Sequence, residues 1–220
     1  MTRHHPPDDL LLELAAGHLP GGQALVVGVH LDGCAECRRQ LGLMQALGGS
    51  MIEDSDPQAL ALDAWTRALE RIDGPAEPVH RSASSLPAAS MPPPPEGLSW
   101  PRRLRGRRSS RWIWMGPGMR FARLDLPEDP QAKLFLLRIG PGRSLPRHSH
   151  DGLELTQVLC GTFDDGRATF GPGDFDATDE TILHQPVVGP DRECVCLAYV
   201  GNRLRFEGRV AALIGGWVGM

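Results

Sequence analysis

Gly142-Arg143-Ser144-Leu145-Pro146-Arg147-His148-Ser149-His150-Asp151-Gly152-Leu153-Glu154, closed by Gly161, is the stretch that decides the fold of the C-terminal half. Side chains alternate along a strand, so His148 and His150, two apart, point to one face. Glu154, four further on, returns to that face, and all three can look into a barrel. A fourth ligand should come from a neighbouring strand. His184, in Ile182-Leu183-His184-Gln185-Pro186, is the histidine that remains downstream. Three imidazoles and one carboxylate suit Zn, Fe, Mn, Ni or Cu. The expected occupant is a divalent ion, with zinc the first choice.

The flanking chain agrees with a barrel. Short apolar stretches, Lys133 to Ile139, Leu153 to Leu159 and Val195 to Val200, are separated by Gly140-Pro141-Gly142, Gly161, Gly171-Pro172-Gly173 and Gly189-Pro190. Short strands punctuated this regularly predict a sandwich or barrel. Cys194 and Cys196 share a strand face, either as an oxidisable pair near the metal or as two small buried residues. Neighbours at strand spacing meet disulfide geometry poorly.

Upstream, residues 74–97 are mostly Pro, Ala and Ser, with Pro92-Pro93-Pro94-Pro95 in a row, which predicts a semi-extended linker. Residues 1–73 read as helices. Pro6-Pro7-Asp8-Asp9 is a helix start and Gly17 a stop. A second helix is expected over Gly22 to Leu31, and a third from near Cys34 to Gly48-Gly49. A fourth, from Pro57 to Ile72, carries Leu62, Trp65, Leu69 and Ile72 at helical spacing. The predicted fold is therefore multidomain: an all-α bundle (1–73), a Pro-rich linker (74–97) and an all-β barrel (98–220).

The helical part holds a second donor cluster. His30, Cys34 and Cys37 are spaced so that His30 ends one helix while the cysteines occupy the first turn of the next. They can take three corners of a zinc tetrahedron, and the positive helix start favours thiolates. A histidine ahead of the first helix can complete the set: His5 is the choice, with His4 its competitor.

The 220 residues carry a formal charge of -4, which argues against general nucleic-acid binding. No apolar run is long enough to span a membrane and no leader-like segment is visible, so a cytoplasmic protein is expected. In that compartment its 5 cysteines suggest metal or redox chemistry. Arg102, Arg103, Arg105, Arg107, Arg108 and Arg111 read as a solvated linker end or a strip docking on acidic surface. Trp65 is either a partner anchor or core.

The segment from His5 to Cys37, followed by an amphipathic helix, resembles the zinc-binding domain of bacterial zinc anti-sigma factors. That resemblance covers residues 1–73. It implies a helical unit that wraps a group-IV, extracytoplasmic-function (ECF) sigma factor in a 1:1 complex and blocks its contact with core RNA polymerase. Gly142 to Gly161 reproduces the first cupin motif with every spacing met. The second motif departs: a glycine comes one residue early, His184 late, and the asparagine after it is missing. With Leu183-His184-Gln185-Pro186 and Cys194-Val195-Cys196, nearly the whole chain, apart from the linker, is similar to the ChrR-type zinc anti-sigma factors. Membership implies a regulator without enzymatic activity, whose cupin releases the sigma factor under oxidative stress such as singlet oxygen. The alternative is a cupin metalloenzyme, a dioxygenase or isomerase, with an N-terminal docking domain.

Overall fold

The computed structural model describes residues 2–74 and 91–202, with the backbone of 204–206. Four helices come first: α1 (Asp8–Ala15), α2 (Gly21–Gly33), α3 (Ala35–Glu53) and α4 (Ala64–Asp73). Asp8 and Asp9 stand in the first turn of α1, where anions favour the exposed amides. The chain then leaves through Gly17, at φ +74°. Two expectations need correction. The third helix runs past Gly48-Gly49 to Glu53, because a glycine stop needs a left-handed turn and neither glycine takes a positive φ. The fourth begins at Ala64 rather than Pro57, since residues 57–63 are exposed and have no packing to offset the cost of helix nucleation.

The strands are β1 (Ile113–Gly116), β2 (Met119–Leu124), β3 (Leu134–Ile139), β4 (His148–His150), β5 (Glu154–Cys160) and β6 (Phe163–Asp164). They continue as β7 (Thr169–Phe170), β8 (Phe175–Thr178), β9 (Val187–Val188), β10 (Cys194–Val200) and β11 (Leu204–Phe206). A six-stranded antiparallel sheet has the order β1-β2-β3-β10-β5-β8. A three-stranded sheet, β7-β6-β9, and the pair β11-β4 complete the β unit.

The large sheet is buried on both faces, which explains the unbroken apolar character of β3, β5 and β10. Leu137, Ile139, Glu154, Val158, Cys194 and Cys196 face the inside of the β unit. Leu134, Leu136, Leu155, Val195 and Leu197 face outward, into one core with Leu10, Leu11, Leu25, Val26 and Val29 of α1 and α2. Close approach of α2 depends on Gly22, where an added Cβ would lie 2.9 Å from the Tyr199 ring. Polar contacts tie the same seam: the Gly22 amide donates to Asp129 Oδ2 (2.9 Å), and Arg103 pairs with Asp32 at 3.2 Å. The arginine-rich stretch is thus partly a docking strip, anchored by the fully buried Leu104.

The helices and the β unit therefore share a core instead of hanging on a spacer. Residues 91–97 are also packed chain: the Trp100 indole donates to the Pro92 carbonyl (3.0 Å) and that of Trp112 to Pro93 (3.3 Å). The rest of the expected linker, 75–90, and the C-terminal stretch 207–220 lie outside the described residues.

Candidate metal centres

In the helical unit, the cluster forms where α2 gives way to α3. His30 sits in the last turn of α2, Cys34 caps α3, and Cys37 follows in its first turn, its amide donating to Cys34 Sγ at 3.5 Å. The N-terminal arm is pinned from the β unit: the Arg3 and His4 amides donate to Asp174 Oδ1 (2.6 and 3.1 Å), and the Phe175 amide donates to the His4 carbonyl (3.0 Å). This delivers His5, whose Nδ1 lies 3.2 Å from Cys37 Sγ and 3.4 Å from Cys34 Sγ. His4 turns away onto Phe170, ring centroids 4.7 Å apart. One donor atom from each of His5, His30, Cys34 and Cys37 falls within 4.8 Å of the others.

Zinc bonds of about 2.0–2.3 Å at tetrahedral angles put neighbouring N and S ligands roughly 3.5 Å apart. The His5–cysteine distances are close to that. His30 supplies a further sign. Its Nδ1 bonds Gln157 Oε1 at 3.0 Å, while its buried Nε2 has no hydrogen-bond partner. Burial lowers the His30 pKa, against hydrogen bonding to Gln157, and favours the neutral, ligating imidazole. Burial, then the Cys34 hydrogen bond, pushes the metal-free Cys37 thiol up to about 12, so an ion must displace its proton. The donor set fits zinc.

In the β unit, His148 and His150 lie on β4 and Glu154 opens β5. His184 comes from the segment before β9, bridged to His148 by reciprocal backbone hydrogen bonds of 3.0 and 3.1 Å. Its Nε2 is 3.1 Å from His150 Nε2, 3.2 Å from His148 Nε2 and 3.7 Å from Glu154 Oε2. His150 Nε2 lies 2.9 Å from Glu154 Oε2. His148 Nδ1 is 2.7 Å from the Pro146 carbonyl, an acceptor, so Nδ1 carries the proton and Nε2 turns a lone pair inward. A cation among these three nitrogens and the Glu154 oxygen would satisfy all four at once. Burial lowers the pKa of His148 and His184, which again keeps them neutral. Burial pushes Glu154 up, but hydrogen bonding to His150 and the surrounding imidazoles outweigh it and hold the carboxyl below its usual range.

Several residues around this centre went unnoticed in the sequence. Thr178 Oγ1 donates to Glu154 Oε2 at 3.3 Å. Asp165 Oδ2 stands 3.5 Å from His184 Nδ1, and Arg167 bridges buried Asp165 to buried Asp176. Burial, despite Arg167, raises Asp176 to about 6. A signal was present for two of them: in Phe175-Asp176-Ala177-Thr178, alternation puts Asp176 and Thr178 on one face. Cys194 Sγ and Cys196 Sγ are 3.6 Å apart and, with His148, Glu154 and His184, line a cavity of about 40 Å³. The Cys194 hydrogen bond and burial push the Cys196 thiol well up.

Residues 105–203 match the model of the ChrR cupin-like domain. The anti-sigma-E factor ChrR of Cereibacter sphaeroides is 37% identical over 212 residues, covering 96% of each chain. The crystal structure of Rhodobacter sphaeroides SigE in complex with the anti-sigma ChrR superposes with a TM-score of 0.70 at 35% identity, over 91% of this chain and 99% of that one. Two donor clusters, helices docked on a cupin-like sheet and end-to-end similarity converge: the chain belongs to the ChrR family of anti-sigma factors.

Proposed function

We propose that this protein is an anti-sigma factor that holds an ECF sigma factor inactive in a 1:1 complex through its helices, and that the cupin controls release under oxidative stress. The observation that carries the reading is the apolar surface left open on α3 and α4. Leu43, Leu47, Met51 and Ile52 on α3 and Trp65, Leu69 and Ile72 on α4 are exposed, Trp65 at 74% and Ile72 at 76%. Such a surface marks a partner site, and an amphipathic helix such as α4 suits a groove. The similar ChrR is in complex with SigE.

In this reading His5, His30, Cys34 and Cys37 hold zinc, which ties the N-terminal arm to the α2–α3 junction. His148, His150, Glu154 and His184 hold a second divalent ion, in first choice zinc. When bound, each ion neutralises converging lone pairs and cross-links separate chain segments. Cys194 and Cys196 stand in the same cavity as the second set and are the proposed oxidisable pair. The linker reading is kept for 75–90, and the compartment proposed is the cytoplasm; among the described residues no helix is long and apolar enough to cross a membrane. Against the enzyme alternative, the cavity that the described residues form at this set, about 40 Å³, is far below the several hundred Å³ of substrate pockets.

The test is to co-express the full chain with an ECF sigma factor of the same organism and to measure complex mass and polymerase binding. A 1:1 complex that excludes core polymerase is expected. Free sigma and free anti-sigma, both folded, would sink the proposal.

A further inference from the structure

We infer that Gln157 is a positioning residue for the zinc ligand His30, so that the cupin sheet builds part of the metal centre of the helical unit. The inference rests on the reading that His5, His30, Cys34 and Cys37 share one ion. Gln157 is 3% exposed on β5, with Leu197 and Phe175 as its neighbours in register on β10 and β8. A buried amide among apolar groups must be paired at both ends. Its Nε2 donates to the Val158 carbonyl at 3.0 Å, an atom that only accepts, and this fixes which way the amide points. Oε1 is therefore the atom presented to His30 Nδ1, 3.0 Å away. A carboxamide oxygen accepts, so Nδ1 carries the imidazole proton and the lone pair lies on Nε2, the buried atom without a hydrogen-bond partner.

The other tautomer would put the proton on Nε2, leaving no lone pair there for an ion. Phe175 stands edge-on to the His30 ring, centroids 5.7 Å apart, and limits its rotation. Phe175 and Asp174 also hold the arm that carries His5. Both histidine ligands of the helical site are thus set by the sheet, while both cysteines are set by α3. The strand that orients His30 from its outer face carries Glu154 on its inner one.

The experiment uses the full chain loaded with cobalt or zinc. The thiolate-to-cobalt absorption, identified by its loss in Cys37→Ser, reports the helical site alone, and transfer of zinc to a chromophoric chelator gives the release rate. Loss of an outer-shell partner weakens metal binding about 10- to 100-fold. Gln157→Met, similar in volume but without an acceptor, is expected to release zinc faster by that factor and to shift the cobalt d–d bands. Gln157→Glu, which retains an acceptor, is expected to restore both. Release and spectrum equal to wild type in folded Gln157→Met would overturn the inference. If that variant does not fold, the His30 tautomer of the zinc-loaded wild type decides by nitrogen-15 NMR: a proton on Nδ1 supports it, a proton on Nε2 overturns it. Wild type without a thiolate–cobalt band would instead sink the zinc reading itself.

Discussion

His30 and His148 solve one problem in the same way. Each engages Nδ1 with an oxygen, the Gln157 amide or the Pro146 carbonyl, and so leaves Nε2 for an ion. Protonation then sets how each centre responds to acid. The metal-free Cys37 thiol is raised to about 12, so below that pH zinc must displace a proton from it, and zinc affinity rises as pH rises. His30, lowered by burial, is already neutral at pH 7 and adds no proton there. Titration calorimetry in buffers of different ionisation heat should thus show Cys37 contributing one proton per zinc across neutral pH, and a Cys37→Ser protein should lose both the zinc and its release of that proton. Arg167 offers a second residue-scale prediction. Its guanidinium is what neutralises buried Asp165 and Asp176, so Arg167→Leu leaves two carboxylates facing each other. Urea unfolding should show a loss on the order of 3 kcal/mol, largely recovered when Asp176→Asn is added.

At the scale of elements, β5 and α4 are opposites. β5 is used on both faces: Leu155 and Gln157 reach the helices, while Glu154, Thr156 and Val158 face the inside. Leu155 is fully buried beneath α2, and Leu155→Ala should cost about 2–5 kcal/mol by denaturant titration. The helix α4 buries no residue against the rest of the protein. Trp65→Asp should therefore change stability by no more than about 0.5 kcal/mol. In the same protein, sigma binding should weaken about 30-fold or more, measured by titration of labelled sigma. A large loss of stability instead would mean that Trp65 belongs to the core.

The whole molecule is held by a core that runs from α1 and α2 through the outer face of the large sheet. Removing the β unit uncovers Leu25, Val26 and Val29 and cuts the supports of His5 and His30. A zinc-loaded fragment ending at residue 74 should still inhibit sigma, because α3 and α4 do not depend on the sheet for their open faces. It should melt well below the full chain in thermal unfolding and lose zinc faster. In the proposed function, a signal at the cupin would have a short mechanical path to the helices, since β5, β8 and β10 each have one face in either compartment.

What could be read from residue order alone was whatever depends on local period and chemistry. His148, His150 and Glu154 converge because a strand alternates; His30, Cys34 and Cys37 converge because a helix junction brings them round; and the four helices and the run of strands follow from apolar spacing. His184 was reachable only by elimination, and His5 only as a choice against His4, because each arrives from a distant segment whose route is set by backbone pairing, to His148 in one case and to Phe175 in the other. The tertiary structure alone decided that the two units form one body. Leu155, Val195 and Leu197 look the same in a sequence whether a strand's outer face meets solvent, a partner or its own helices. Gln157 carries no local signature because His30, the side chain it meets, lies 127 residues away, and the bridge from Arg167 to Asp176 likewise spans 9 residues. Docking depends on the match of two surfaces, and that match is a property of shape in three dimensions, with no period along the chain to announce it.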